Sequence, residues 1–439
     1  MTAMVESMRK AISRSAPITI TGRVVRAAGV VVEAELPRVS LGTQCELHAD
    51  DGHIVEAEVV GVVGGNALLL PFGDLRGISQ GARVVPRSGA AEIAAGDALL
   101  GRVVDPRMRP LDDGPPLLLA GRARLDQSPP PAMSRRRIHR RMVTGIRALD
   151  ACLCIGEGQR LAVMAGPGVG KSVLLGMLAR EADADVIVVG LIGERGREVR
   201  EFVERDLGAG LQRSVVIVAT GDEPPLLRLR AALAATAVAE HFRSRGKRVM
   251  LLMDSLSRVA QAQREAGLAA GEPPTSKGYP PSVFALLPRL VERAGNDGGE
   301  GSITAFYTVL AEGDDLTDPV ADAIRASLDG HLVLSRALAE AGHFPAIDVP
   351  QSVSRVMTDV AGPPEIEVAR TAREVLSAHR DAADLIEVGA YAPGSNARVD
   401  RALRVMPALQ KFLRQTPDEP RAAAAQSVAA LRAALEMTP

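Results

Sequence analysis

Tryptophan is absent from this 439-residue chain, and aromatic residues together make up only 2 % of it. Broad stacking platforms for bases or sugars are therefore not expected. Cysteine is scarce too: Cys45, Cys152 and Cys154 are too few for a disulfide framework in a chain of this size. Neither charge sign dominates, because 52 Lys and Arg face 53 Asp and Glu for a formal net charge of −1. No apolar run approaches the roughly 18 residues that a membrane-spanning helix needs. The opening MTAMVESMRKAISRSA is basic but lacks the apolar stretch of a signal peptide. What remains is ordinary globular composition, 46 % hydrophobic and 24 % charged, which argues against global disorder. The length suits roughly two to four domains, and the expectation is a soluble cytoplasmic protein.

Three regions differ in pattern. Residues 20–88 carry short Val-rich runs such as GRVVRAAGVVVEAEL and GHIVEAEVVGVVGGNALLLPF, broken by Gly and Asp-Gly turns. That spacing predicts a small all-β barrel. A Pro-rich stretch with LDDGPPLLLAG and LDQSPPPAMSRRR follows, suited to a linker or an extended crossing segment. From about residue 145, apolar runs (RLAVMAG, ADVIVVGLIG, RSVVIVAT, KRVMLLMDS, GSITAFYTVL, GHLVLS) alternate with helical stretches such as KSVLLGMLAREA. The alternation predicts an α/β domain built on a parallel sheet. Beyond about Pro363 the pattern is helical throughout.

The strand RLAVMA runs straight into GPGVGKS and then a helix. In such a loop Gly166, Gly168 and Gly170 leave room for backbone N–H groups to close around phosphate oxygens. Pro167, Val169 and Val173 complete the segment, and the helix N-terminus adds a field favourable to an anion. Lys171 can reach the β- and γ-phosphates and the Ser172 hydroxyl can ligate Mg²⁺. The strict G-x-x-x-x-G-K-[ST] pattern has glycine where this chain has Ala165, a residue small enough for the loop to form.

Two carboxylates also stand where strands end. Asp254, closing the apolar run of RVMLLMDS, reads as the acid behind a bound metal or as a helix N-cap. Glu194, in GLIGERGREVREF, reads as the group that orients or deprotonates an attacking water, or as a surface Glu paired within the crowd of Arg195, Arg197 and Arg200. Residues 135–141 hold a run of arginines (Arg135, Arg136, Arg137, Arg140, Arg141) that reads as a phosphate-backbone patch or as interdomain ion pairing. Cys152 and Cys154 have no neighbouring His or further Cys to make a metal site, so buried free thiols are expected.

GPGVGKS, GLIGERGREVREF, LLMDSLSR, GEPPTSKGYPPSVFALLPRLVERAG, EGDDLTDP and HFPAIDVPQSVSR occur in this order along the chain. In that order they resemble the hexameric ATPases related to the catalytic subunit of rotary ATP synthase, and within that group the ATPases of type III secretion systems. The resemblance runs from about Gly22 to Leu413. GERGREVREF, KGYPPSVFALLPRLVERAG and Ala165 are similar to the protein-export branch rather than to the synthase subunit itself.

The resemblance implies a multidomain α/β architecture: a basic prefix (1–18), an oligomerising β-barrel (19–90), a RecA-like P-loop ATPase domain (91–355, its linker 91–143) and a C-terminal helical domain (356–439). It implies ATP and Mg²⁺ as cofactors, with Gly166 to Val173 around the phosphates and Ser172 and Asp254 at the metal. Glu194 matches the catalytic glutamate, Arg195 and Arg258 match arginines near the γ-phosphate, and Phe344 matches the aromatic that stacks on adenine. Arg355, ending QSVSR, matches an arginine finger that reaches a neighbouring subunit's site; without the resemblance it reads equally as a surface arginine. Implied partners are five further copies in a homohexamer, a stator-like regulator, a central stalk protein, the export gate and chaperone–cargo complexes, at the cytoplasmic face of the bacterial inner membrane. The prefix residues Arg9, Lys10 and Arg14 read as a contact for the regulator or membrane, or as a charged tail.

Three other readings have discriminating features. A nucleic-acid-translocating ring needs exposed aromatics on its barrel, and residues 1–90 offer only Phe72 within an apolar run, so no nucleic acid is expected. A non-catalytic ring subunit is disfavoured by Glu194, and a proton-driven synthase subunit by GERGREVREF and Ala165. Between the export systems, CIGEGQR, SPPPAM and KFLRQTPDE point to an injectisome, whereas SVLLGM, TSKGYPPSVF and VGAYAPGS point to flagellar export as the alternative.

Overall fold

The computed structural model describes residues 20–87, 91–310 and 318–436. The prefix arginines and lysine, and residues 312–317 of EGDDLTDP, lie outside the described residues. Strands Gly22–Ala28, Val31–Glu35, Gln44–His48, Ile54–Val63, Asn66–Pro71 and Arg83–Pro86 form a closed barrel in the order first, second, fifth, fourth, third, sixth. The alternation seen in sequence sets its core: Val32 and Ala34, Cys45 and Leu47, Val55, Ala57 and Val59, and Leu69 all point inward. Gly64 and Gly65, both at positive φ, form the two-residue hairpin between the fourth and fifth strands, a turn that favours glycine. Phe72 is buried.

The α/β region carries a nine-stranded sheet. Across it run, in order, Val353–Ser354, Gly330–Leu334, Arg160–Ala165, Ser302–Leu310, Arg248–Asp254, Val186–Glu194, Ser214–Thr220 and Arg102–Val104. Every pair along this path is parallel except the outermost one with Val353–Ser354, and Gly295–Asn296 adds a short antiparallel partner to Ser302–Leu310. The six apolar runs read as strands are all present. Burial on both faces, as in Val186–Ile192, explains their lack of alternation. Because the strands are parallel, their carboxyl ends open on one side of the sheet, where doubly wound proteins bind ligands.

The stretch 91–143, read as linker, is more than a connection. Arg102–Val104 pairs with Ser214–Thr220 as an edge strand, and Glu92–Ala95 pairs with Gly121–Arg124. Asp112 locks the edge strand in place: it accepts from Arg102 Nε (3.0 Å) and from the Val103 amide (2.6 Å). A three-residue strand is too short to show a hydrophobic period, and its fixing contacts come from ten residues further on.

Helices Pro363–Asp381, Ala397–Leu413 and Ala424–Glu436 pack with the short helix Arg147–Cys152. Val368, Val375, Val405, Leu409 and Leu431 share one apolar core with Ile146, Leu149 and the P-loop helix residues Leu174 and Leu178. The basic run serves ion pairing. Arg135 bonds Glu292 (2.8 Å), Arg141 bonds Glu365 (3.0 Å) and Arg140 faces Glu157 (3.6 Å). All three cysteines are buried free thiols, and burial pushes the Cys152 thiol up to about 12.

Candidate nucleotide-binding and catalytic site

Strand Arg160–Ala165 ends under the loop Gly166–Gly170, and helix Lys171–Glu181 begins directly after it. Gly168 and Gly170 take φ values of 78° and 83°, a region strained for residues with a Cβ. Gly170 is also crowded: a Cβ there would lie 3.2 Å from the Phe344 ring. The Val169 side chain turns into the core, while Val173 lies at the cleft and packs on that core. Ala165 is the last strand residue, paired with Leu310 and Leu334 and 1 % exposed. A methyl group therefore fits where the strict motif has glycine, because the positive-φ positions come later in the loop.

Above the loop lies a cleft of about 1020 Å³ lined by Gly166, Pro167, Gly168, Gly170, Lys171, Ser172, Val173, Glu194, Arg195 and Arg258. Lys171 Nζ sits 2.6 Å from Asp254 Oδ1 and 3.5 Å from Glu194 Oε1. Three strands thus bring one cation and two carboxylates together at their carboxyl ends. Thr308, on strand Ser302–Leu310 between Arg160–Ala165 and Arg248–Asp254, donates to Asp254 Oδ1 at 2.6 Å. Burial costs the Lys171 ammonium, but Asp254 and Glu194 outweigh it and hold the lysine charged. Glu194 goes the other way. Burial first, then the Asp254 charge, push its carboxyl up to about 7 against the pull of Lys171, a poise suited to proton exchange near neutrality. The alternative reading of Glu194 as a surface residue paired with its arginine neighbours does not fit this placement: its partner is Lys171, while Arg195, Arg197 and Arg200 pair with Glu198, Glu201 and Glu204.

Arg258 packs its stem over Gly193, where a Cβ would lie 2.9 Å from it, and donates to Gln261 at 2.9 Å. Its Nε is buried and has no hydrogen-bond partner among the described residues. Arg195 is 82 % exposed at the rim, 3.3 Å from Glu198. Phe344, 43 % exposed, abuts the loop at Gly170. Phe344 and Asp254 border the loop and Lys171 without lining the cleft itself, and Arg355 is also absent from the lining. Arg355 is exposed, and its amide donates to the Asp329 carbonyl at 3.0 Å.

Sequence reading missed several residues of the site, the wall residues Lys277 and Tyr279 and the buried Asp254 partner Thr308 among them. Lys277 and Tyr279 lie inside the quoted TSKGYPPSVF segment, so a signal was available, whereas Thr308 sits in an apolar strand with none. Arg264, stacked 5.2 Å from the Tyr279 ring centre, and Gln261 also line the cleft. Ser172 and Asp254 carry hard oxygen donors of the kind that Mg²⁺ takes. No cluster of three or more His, Cys, Asp or Glu able to cage a metal occurs among the described residues.

Loop, lysine, serine and paired carboxylates at the open end of a parallel sheet define a P-loop nucleotide-binding α/β protein. The chain matches the ATP synthase alpha/beta family nucleotide-binding domain over 145–354, that family's beta-barrel domain over 24–87, and the T3SS EscN ATPase C-terminal domain over 361–433. It is 49 % identical to the flagellum-specific ATP synthase of Bacillus subtilis (93 % of this chain, 94 % of the relative) and 49 % identical to the type 3 secretion system ATPase of Sinorhizobium fredii (91 % and 89 %). The structure matches the assembled ATPase EscN of enteropathogenic E. coli with a TM-score of 0.89 at 39 % identity, covering 94 % of this chain and all of that one. EscN is also known in complex with its central stalk EscO, with a TM-score of 0.86. The chain belongs to the family of flagellar and type III secretion export ATPases, and it hydrolyses ATP as an enzyme of that family.

Proposed function

We propose that this chain is the Mg²⁺-dependent motor of a type III protein-export apparatus, working as a homohexamer that releases chaperones and unfolds cargo for export. The observation that carries the catalytic part is the Lys171–Asp254–Glu194 cluster beside the glycine loop. Lys171 binds the β- and γ-phosphates, the loop amides from Gly166 to Val173 cradle them, and Ser172 and Asp254 hold the metal. The metal, when bound, neutralises charge developing on the phosphoryl oxygens. Glu194 orients the attacking water, Arg195 and Arg258 bring positive charge to the γ-phosphate, and Phe344 stacks on adenine. Arg355, outside its own chain's cleft, serves the cleft of the next copy. A head-to-tail arrangement that closes into a ring supplies it.

In this reading the domains are the prefix 1–18, the barrel 19–90 as the ring's oligomerising crown, the ATPase domain 91–355 with the strands of 91–143 as part of it, and the helices from 356 onward, which receive chaperone–cargo complexes. The central stalk, a stator-like regulator and the export gate are the remaining partners, at the cytoplasmic face of the inner membrane. The EscN–EscO complex supports the stalk. The burial of Phe72 supports a barrel that does not stack on nucleic acid. The injectisome is the first reading of the system, and flagellar export is the second, favoured by the 52 % identity to the flagellum-specific ATP synthase of Salmonella typhimurium. The test is Mg²⁺-dependent ATPase activity against protein concentration. Specific activity should rise with concentration in the wild type and be lost in Glu194→Gln. Activity independent of concentration would remove the shared site.

A further inference from the structure

Gln415 lies beyond the last residue of helix Ala397–Leu413, far from the glycine loop in sequence, yet it reaches the loop's aromatic neighbour. It is 5 % exposed, and three of its hydrogen-bonding groups are satisfied. Its backbone amide donates to the Phe344 carbonyl at 2.9 Å. Its side-chain oxygen accepts from the Arg147 amide at 2.9 Å, and its Nε2 donates to the Gly145 carbonyl at 2.9 Å. A buried amide held on both ends has one geometry. The side chain therefore fixes where the Gln415 backbone stands, and the backbone fixes the carbonyl of Phe344.

The surroundings brace the same point. Arg147 donates from Nε to the Phe412 carbonyl at 3.0 Å, bonds Glu419 at 2.5 Å, and lies over the Phe412 ring. It also donates to the Arg414 carbonyl. On its other side the Phe344 ring lies beside Gly170, where a Cβ would come 3.2 Å from it. Phe344 thus has its ring beside the phosphate loop and its backbone tied to a segment that follows a C-terminal helix.

We propose that Gln415 is a positioning residue for the nucleotide base: it holds the Phe344 backbone so that the ring keeps its stacking pose, and so makes base binding depend on the C-terminal helices. This rests on the reading of Phe344 as the base-stacking residue. Gln415, Arg147 and Phe344 do not line the cleft around Lys171 and Ser172, so loosening the arrangement should affect the base and spare the triphosphate.

The test separates those two parts of the ligand. In Gln415→Leu, the KM for ATP should rise about fivefold, the effect of one net hydrogen bond, with kcat within about twofold of wild type. Inhibition by inorganic tripolyphosphate, which has no base, should keep its wild-type constant. In a Phe344→Ala background the Gln415→Leu change should add no further rise, since the two residues act as one unit. An equal rise in the tripolyphosphate constant would overturn the proposal by making Gln415 a general scaffold residue. An unchanged KM in folded Gln415→Leu, alongside a raised KM in Phe344→Ala, would overturn it as well. If Phe344→Ala leaves KM unchanged, the base-stacking reading is what fails. Gln415→Glu keeps the side chain's shape and one of its two bonds, so it serves in place of Gln415→Leu if that variant does not fold.

Discussion

Arg248 stands at the start of a central strand, where it bonds Asp185 at 2.9 Å and Asp183 at 3.0 Å. The hydrogen bond from Arg248 holds the Asp183 carboxyl below the usual range; at Asp185 partial burial works the other way, and the same arginine overcomes it. A carboxyl with a lowered folded-state pKa adds stability above its unfolded value, and that stability is lost as pH falls through the folded one. The contribution should therefore be full at neutral pH and fade below about pH 4, the ordinary carboxylate value. Arg248→Met keeps the aliphatic stem and removes the charge. Thermal unfolding from pH 7 to pH 3 should show the variant less stable at neutrality, with the gap to wild type closing in acid. A gap that stays constant across the range would show that the stem, not the charge, matters. Much of the candidate site is legible at this scale, because Lys171, Ser172, Asp254 and Glu194 announce themselves by residue type next to strand ends. Phe344 and Arg355 do not: nothing local marks a half-exposed Phe or an exposed Arg, and only the resemblance singles them out. Thr308 and Gln415 were missed altogether, since each acts across a distance in sequence that no local pattern encodes.

Among the elements, the P-loop helix Lys171–Glu181 and the segment after Glu194 are joined at a point with no spare room. Gly176 faces the π-helical turn Phe202–Leu207, and a Cβ on it would come within 2.4 Å of the Asp206 carbonyl oxygen. Helix propensity alone favours alanine over glycine by roughly 1 kcal/mol in a helix interior. Here the contact is with backbone, which cannot rotate away, so the clash wins. Gly176→Ala should lose about 2 kcal/mol of stability, the usual cost of overpacking, and chemical denaturation would measure it. A stabilised variant would mean that the turn moves freely from the helix. Arg180 reinforces the same junction by donating to the Asp206 carbonyl. The six long strands were readable from their apolar runs, because a parallel strand buried on both faces needs little else. The edge strand Arg102–Val104 was not, because Asp112 and pairing with Ser214–Thr220 hold it rather than its own composition.

At the scale of the whole molecule, Glu194 lines the cleft and Arg355 lies outside it in the same chain. If Arg355 completes a neighbour's site, two inactive proteins can repair each other. Glu194→Gln keeps its finger and Arg355→Ala keeps its glutamate, and each ring of one kind should turn over negligibly. In an equal mixture that assembles at random, a working interface needs an Arg355→Ala copy on the glutamate side and a Glu194→Gln copy on the finger side. Each condition holds half the time, so about a quarter of interfaces should be intact in a closed head-to-tail ring. ATPase activity of the mixture should therefore approach about a quarter of wild type at concentrations that favour assembly, and fall away on dilution. If Arg355 acted within its own chain, no mixture could place both groups at one site and the activity would stay at zero. A recovery well below a quarter would mean that the ring advances only when several neighbouring sites are intact together. The same mixture thus tests both where the finger reaches and how far one site's turnover depends on the next.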